Sequence, residues 1–259
     1  MSPIDARRLA RLCVPLLLAA LAPGAAAETV RVAVAANFAD ALERLRPAFE
    51  RDSGHELRAS SASTGTLYAQ IRRGAPFDVF LAADRERPER LVDEGFADPS
   101  SAFVYARGRL VLWSADSALV DGTPAVLHRA TFRHLAVANP KTAPYGAAAL
   151  DVLRELGLAD ELAGRLVQGE NVAQAWHFVA SGNAELAFVA LSQVLAQDPD
   201  ERGSRWLVPE SLHRPIEQVA VVLKDAAERP AVRAFAAFLR SPEARRMIAG
   251  LGYAVDPAP

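Results

Sequence analysis

The sequence predicts an α/β fold in two lobes that share a cleft, and three observations carry that prediction. From Glu28 onward, apolar strands alternate with amphipathic helices, the pattern of a parallel sheet covered by helices. After Pro99 the alternation breaks: Phe103 to Ala106 and Arg109 to Ser114 are two short strands about Gly108, rich in aromatic and β-branched residues. The alternation then resumes, until a long apolar strand near Ile216 to Leu223 is followed by two helices, Pro230 to Leu239 and Pro242 to Ala249. The chain is therefore expected to cross into a second lobe and return. The first lobe takes residues 28–107 and 217–259, the second 108–216, and the two crossing strands form a hinge.

Each element has its own warrant. Thr29 to Ala36 is a near-continuous apolar run, as in a strand buried on both faces. From about Ala39, Ala41, Leu42, Leu45, Ala48 and Phe49 fall on one helical face and Glu43, Arg44, Arg46, Glu50 and Arg51 on the other. Ser53-Gly54 ends that helix, and Pro47 inside it removes one backbone donor, which predicts a kink. Glu56 to Ala62 is the second strand, Thr66 to Arg73 the second helix and Asp78 to Ala83 the third strand, with Asp84 placed to cap a helix that ends near Gly95. This order implies parallel strands joined by right-handed crossovers. In the second lobe, Thr123 to His134 reads as a helix, Leu135 to Ala138 as a strand and Asn139 to Gly146 as a turn-rich loop. Ala147 to Leu156 is a helix, and a shorter helical piece leads to Leu166-Val167. Gln168 to Val172 reads as a polar turn, Ala173 to Ala180 as a helix and Glu185 to Ala190 as a strand.

The N-terminal segment stands apart. Arg7, Arg8 and Arg11 precede the apolar run Leu12 to Leu21, and Ala25-Ala26-Ala27 offers small residues for cleavage, so residues 1–27 read as a secretory signal peptide. The run is shorter than the roughly 20 residues of a bilayer span, and Pro15 and Pro23 interrupt it. Its removal takes away Cys13, the only cysteine, and three arginines against one aspartate, so the formal charge goes from −2 to −4. Cys13 lacks the small residues that precede a lipid-anchored cysteine. Export to the periplasm without a lipid anchor is the expectation. A mildly acidic chain without cysteines disfavours nucleic-acid binding and thiol ligation of a metal, and any anion it holds must be held by local dipoles.

Four turns supply such dipoles: Ala36-Asn37, Ser63-Thr64-Gly65, Pro144-Tyr145-Gly146 and Asn171-Val172, each directly before or at the start of a predicted helix. The first N–H groups of a helix lack internal acceptors, and each helix start carries about +0.5 charge, so four aimed at one point sum to about two units. That matches a doubly charged oxyanion. Asn37, Ser63, Thr64 and Tyr145 add side-chain donors. On residue type alone, Asn37, Ser63 and Thr64 serve equally as ordinary helix caps.

The segments AANF, STGTLYAQIRRGAPFDVFLAAD, VANPKTAPYG and GENVAQA, in this order and spacing, resemble the periplasmic molybdate-binding proteins of ABC transporters. The resemblance spans nearly all of residues 28–255. It implies a two-lobed type II periplasmic binding protein fold that closes on molybdate or tungstate, without a cofactor, as a monomer that delivers its ligand to an ABC permease. Carried over by position, Asn37 stands where members place a donating serine or asparagine, and Ala36 lends its backbone N–H. Thr64, beside Ser63, stands where serine is usual and adds a methyl group. Tyr145 fills a position held by alanine in some members and by a ligating tyrosine in others, and Val172 falls where a backbone amide meets the oxyanion. Ala190 lies where other members place their tyrosine.

Other residues fit plainer roles. Arg72-Arg73 suits a helix C-terminus, and neither it nor Lys141 is expected to touch the anion. His55, His128, His134, His177 and His213 show no metal-ligand spacing, and Trp113, Trp176 and Trp206 read as core residues. Asp78 and Asp84 read as a strand start and a helix cap, not as a catalytic pair. No GxSxG, P-loop or HExxH motif occurs, so an enzyme on the same architecture is the distant alternative. A binder of another tetrahedral oxyanion, such as sulfate, is the nearer one.

Overall fold

The computed structural model describes residues 27–129 and 131–256. The signal peptide reading, Cys13 included, falls outside them except at Ala27. The first sheet has the order β2-β1-β3-β10-β4, from β1 (Thr29–Ala35), β2 (Glu56–Ala62), β3 (Val79–Ala82), β4 (Phe103–Gly108) and β10 (Ile216–Val222). The second has the order β7-β6-β8-β5-β9, from β5 (Leu110–Ser114), β6 (Leu135–Ala138), β7 (Leu166–Gly169), β8 (Leu186–Ala190) and β9 (Ser204–Leu207).

The fold is α/β with two sheets flanked by helices, but neither sheet is purely parallel. β1 runs parallel to β2 and β3, and β6 runs parallel to β7 and β8, as the alternating pattern requires. β10 pairs antiparallel with β3 and β4, and β5 pairs antiparallel with β8 and β9. The reason is directional. The crossing strands enter each sheet from the opposite one, without a covering helix, and need no right-handed crossover.

The helices are α1 (Ala39–Ser53), α2 (Thr64–Arg72), α3 (Glu86–Asp93), α4 (Pro144–Glu155), α5 (Ala159–Leu162), α6 (Val172–Ala180), α7 (Leu191–Leu195), α8 (Pro230–Arg240) and α9 (Pro242–Gly250). α1 buries the apolar face read from its sequence and stops at Gly54, whose φ of 69° needs glycine. Asp84 caps the start of α3 through Arg87 N–H, 3.0 Å away.

Three local expectations fail. Thr123 to His134 is not a helix: one 3₁₀ turn, Pro124–His128, is followed by extended Arg129. Among the described residues, the next buried apolar residue after Leu127 is Phe132, five positions on and off a helical face. Gln168 and Gly169, expected at the start of a polar turn, instead end an edge strand, Leu166–Gly169, too short and too polar at Gln168 to show a period. α4 starts at Pro144, three residues before the expected Ala147, because proline at the first helical position is preorganised for it. α7 and β9 were not foreseen.

One core fills the second sheet and its helices, and two smaller cores cover the faces of the first. Ala35 and Ala83, at the carboxyl ends of β1 and β3, pack into the core of the second sheet. Among the described residues no helix is long and apolar enough to cross a membrane.

Candidate functional site

The four helix starts converge. Ala36, Asn37, Ser63, Thr64, Tyr145 and Val172 line one cavity with Ala35, Ala83, Ala143, Pro144 and Asn171. It holds about 200 Å³ of empty space, and no lining residue carries an aspartate, glutamate, lysine, arginine or histidine side chain. Both sheets contribute: β1 and β2 run into it at Ala35 and Ala62, and the loop after β6 and the end of β7 deliver α4 and α6 from the other side. Ligands of α/β sheets sit at the carboxyl ends of parallel strands for this reason.

Thr64 is the first residue of α2 and is buried. Its Oγ1 accepts from Ala83 N–H at 3.2 Å, which fixes the oxygen and leaves the hydroxyl proton free to be donated. Ser63 is a helix cap as well as a lining residue: its Oγ accepts from Thr66 N–H at 3.3 Å and lies 2.7 Å from Thr66 Oγ1. On α6, Asn171 Oδ1 caps Gln174 N–H at 3.0 Å. α4 has no side-chain cap. The backbone N–H groups of Thr64, Tyr145 and Val172 lie in first helical turns and are given to no other acceptor among the described residues.

Asn37 departs from the expectation that its side chain donates to the anion. Its Nδ2 donates to Gln218 Oε1 at 2.8 Å and to Tyr253 Oη at 3.3 Å, which uses both protons inside the protein. Tyr253 Oη in turn donates to Asn37 O at 2.6 Å, and Ser192 Oγ lies 3.0 Å from Tyr253 Oη. Asn37 therefore offers the cavity its backbone N–H, and its side chain ties the site to the crossing strand β10.

Tyr145 Oη is buried without a hydrogen-bond partner among the described residues, as is Tyr105 Oη. Burial first, then the neighbouring Tyr253 and Tyr105, push the Tyr145 phenol well above its ordinary range, so it remains a neutral donor. The polar Gln218, fully buried in an apolar strand, was missed by sequence reasoning. A glutamine inside the run Ile216–Val222 is the signal that marks it.

Residues expected elsewhere are elsewhere. Arg72 pairs with Glu94 at 2.9 Å, and neither it nor Lys141 lines the cavity. Trp113 and Trp176 stack 5.6 Å apart in the second core, and no cluster of His, Cys, Asp or Glu suited to a metal occurs among the described residues. A wider groove, about 870 Å³ of empty space around Arg31, Asp78 and Arg229, lies at the opposite end of β1 and carries the ionised side chains that the first cavity lacks.

The model of the bacterial extracellular solute-binding proteins matches residues 30–254. The molybdate-binding protein ModA of Azotobacter vinelandii is 49% identical over 248 residues, 96% of this chain and 98% of the relative. The chain belongs to the ModA family of these solute-binding proteins. ModA of Rhodobacter capsulatus is 47% identical over 240 residues, 93% of this chain and 94% of that one. The solved periplasmic molybdate-binding protein of Azotobacter vinelandii superposes with a TM-score of 0.85 at 43% identity, covering 88% of this chain and 99% of that chain. The sulfate-binding protein SubI of Mycobacterium tuberculosis, at a TM-score of 0.72 and 16% identity, shares the two-lobed fold.

Proposed function

We propose that this protein captures molybdate, and equally tungstate, in the periplasm as a monomer and delivers it to an ABC permease. The observation that carries the reading is the convergence of four helix starts from two sheets on one cavity without ionised side chains. The names of the ModA relatives support it. The lobes that close on the ligand are residues 28–107 with 217 onward, and 108–216.

The dianion would be held by the N–H groups of Asn37, Thr64, Tyr145 and Val172, with Ala36 beside them, and by the hydroxyls of Ser63, Thr64 and Tyr145. About six to eight hydrogen bonds to a charged acceptor, at about 1.5–3 kcal/mol each, oppose dehydration of the anion and the cost of closure. A net of about −9 to −11 kcal/mol corresponds to a Kd between about 10 and a few hundred nanomolar. Without a counter-charge the pocket selects by size and protonation state. The smaller sulfate leaves donors short of their acceptors, and protonated phosphate needs an acceptor that first-turn N–H groups do not provide.

Calorimetry with molybdate, tungstate, sulfate and phosphate tests the assignment. Heat and affinity for sulfate equal to those for molybdate would refute it. Small-angle scattering tests the cleft: molybdate should reduce the radius of gyration, and an unchanged radius counts against closure.

A further inference from the structure

The lobes also touch outside the cavity. Gly65 N–H, on α2, donates to Thr142 O at 2.8 Å, and Arg87 Nη2, on α3, donates to Lys141 O at 3.0 Å. Arg87 is held for this contact. Asp84 accepts its backbone N–H at 3.0 Å and pairs with its Nη1, and both side chains are 18% exposed. Gly65 follows the cavity residue Thr64, Thr142 precedes the cavity residue Ala143, and Asp84, which anchors Arg87, follows the cavity residue Ala83.

We propose that Arg87 is a positioning residue for ligand retention: anchored by Asp84, it latches the loop at Lys141 and Thr142 and so holds the two lobes shut over the bound anion. The geometry gives it leverage. The Arg87 side chain reaches Lys141 beside the Gly65–Thr142 bond, and Gly65 follows β2, the edge strand three places from the crossing strand β10, whereas α3 itself follows β3, next to β10. A contact there must break before the lobes separate widely. The guanidinium suits the task, because its planar fork serves a carboxylate and a carbonyl at once. Its effect falls on escape: the open form that admits the anion lacks the contact, so entry is unaffected while release waits for it to break.

The inference rests on the cavity being the molybdate site. The test is the release of radiolabelled molybdate from the mature protein into excess unlabelled molybdate, with association measured separately. Arg87→Met should release the anion about tenfold faster, with association changed less than about twofold, since losing an interaction made only in the closed form acts on dissociation. Arg87→Met also leaves the largely buried Asp84 without its partner, so its melting temperature without ligand should fall, and both rates are measured at a temperature where each protein is fully folded. Arg87→Lys, which keeps the charge beside Asp84 but not the fork, should fall between the two. Equal release rates for wild type and Arg87→Met overturn the proposal, as does a loss confined to association. Failure of the wild type to retain molybdate at all overturns the cavity assignment instead.

Discussion

Gly108 and Tyr145 are packed so closely that a Cβ on Gly108 would stand 2.1 Å from Tyr145 Oη and 2.9 Å from Tyr145 Cζ. The glycine lies on the last residue of β4, at the crossing between the sheets, and the tyrosine in the first turn of α4. The hinge thus sets the depth to which the ring enters. Gly108→Ala should displace the ring, cost about 1–3 kcal/mol of stability as overpacking, and weaken molybdate binding. Chemical denaturation and calorimetry on the same variant check both effects.

Tyr145→Phe separates binding from folding. The hydroxyl has no partner among the described residues, so its removal should leave the ligand-free stability unchanged or raise it by up to about 1 kcal/mol. Molybdate binding should weaken by about 1–3 kcal/mol, the value of a hydrogen bond to a charged acceptor. Unaltered affinity in a titration would remove Tyr145 from the ligand set.

Thr64 joins the two roles in one oxygen. Thr64→Val keeps the shape but strands the Ala83 N–H, at a cost of about 1–3 kcal/mol in stability, and removes a donor from the cavity. Thr64→Ser keeps both hydrogen bonds and should bind within about threefold of the wild type, since about 0.6 kcal/mol separates affinities that differ by that factor. Urea midpoints and calorimetric affinities of the pair distinguish a binding hydroxyl from a merely structural one.

Gly65→Ala tests closure by steric means. Its Cβ would stand 3.0 Å from Thr142 Cα and 3.1 Å from Thr142 O, backbone that yields only if the lobes part. Alanine is the better helix former by about 1 kcal/mol, so the ligand-free protein should melt no lower. Affinity for molybdate should fall, and scattering should show less compaction on ligand addition. Full compaction would mean that this contact does not limit closure.

Asp78 sets the acid limit. Burial alone would raise its pKa, but bonds from Arg31, at its side chain and backbone, and from Arg229 outweigh burial and hold the carboxyl below its ordinary value. A depressed pKa means stability that is complete above the unfolded value, about 3.9, and is lost as pH falls from there through the folded pKa. Asp78→Asn should cost about 2 kcal/mol at pH 7, less than a wholly buried pair because both arginines remain partly exposed. The variant should also lose less stability than the wild type on acidification below about pH 4, as denaturation at the two pH values would show.

The sequence made legible whatever is written in a local period or a turn. The strand-helix alternation from Thr29 to Asp93, the crossing at Gly108 and the return at Ile216 all show in the apolar pattern, and the structure brings the six candidate residues to one cavity. What stayed hidden depends on partners distant in the chain. The Asn37 amide reads as a free donor until Gln218 and Tyr253, 181 and 216 residues away, take its protons. Leu166–Gly169 becomes a strand only because β6 lies beside it. Arg87 reads as one charge on a helix face until the loop at Lys141 is brought against it.

The interleaving of the two sheets bears on how the chain acquires its shape. All five strands of the second sheet come from one uninterrupted stretch, Leu110 to Leu207, and can associate without waiting for anything downstream. The first sheet cannot, because β10 must be inserted between β3 and β4 from more than a hundred residues further along. In a chain made from its N-terminus, β1 to β3 and β4 therefore remain two unjoined pieces with bare edges until β10 arrives, and the late, non-local step of assembly is also the one that brings Gln218 to the Asn37 side chain.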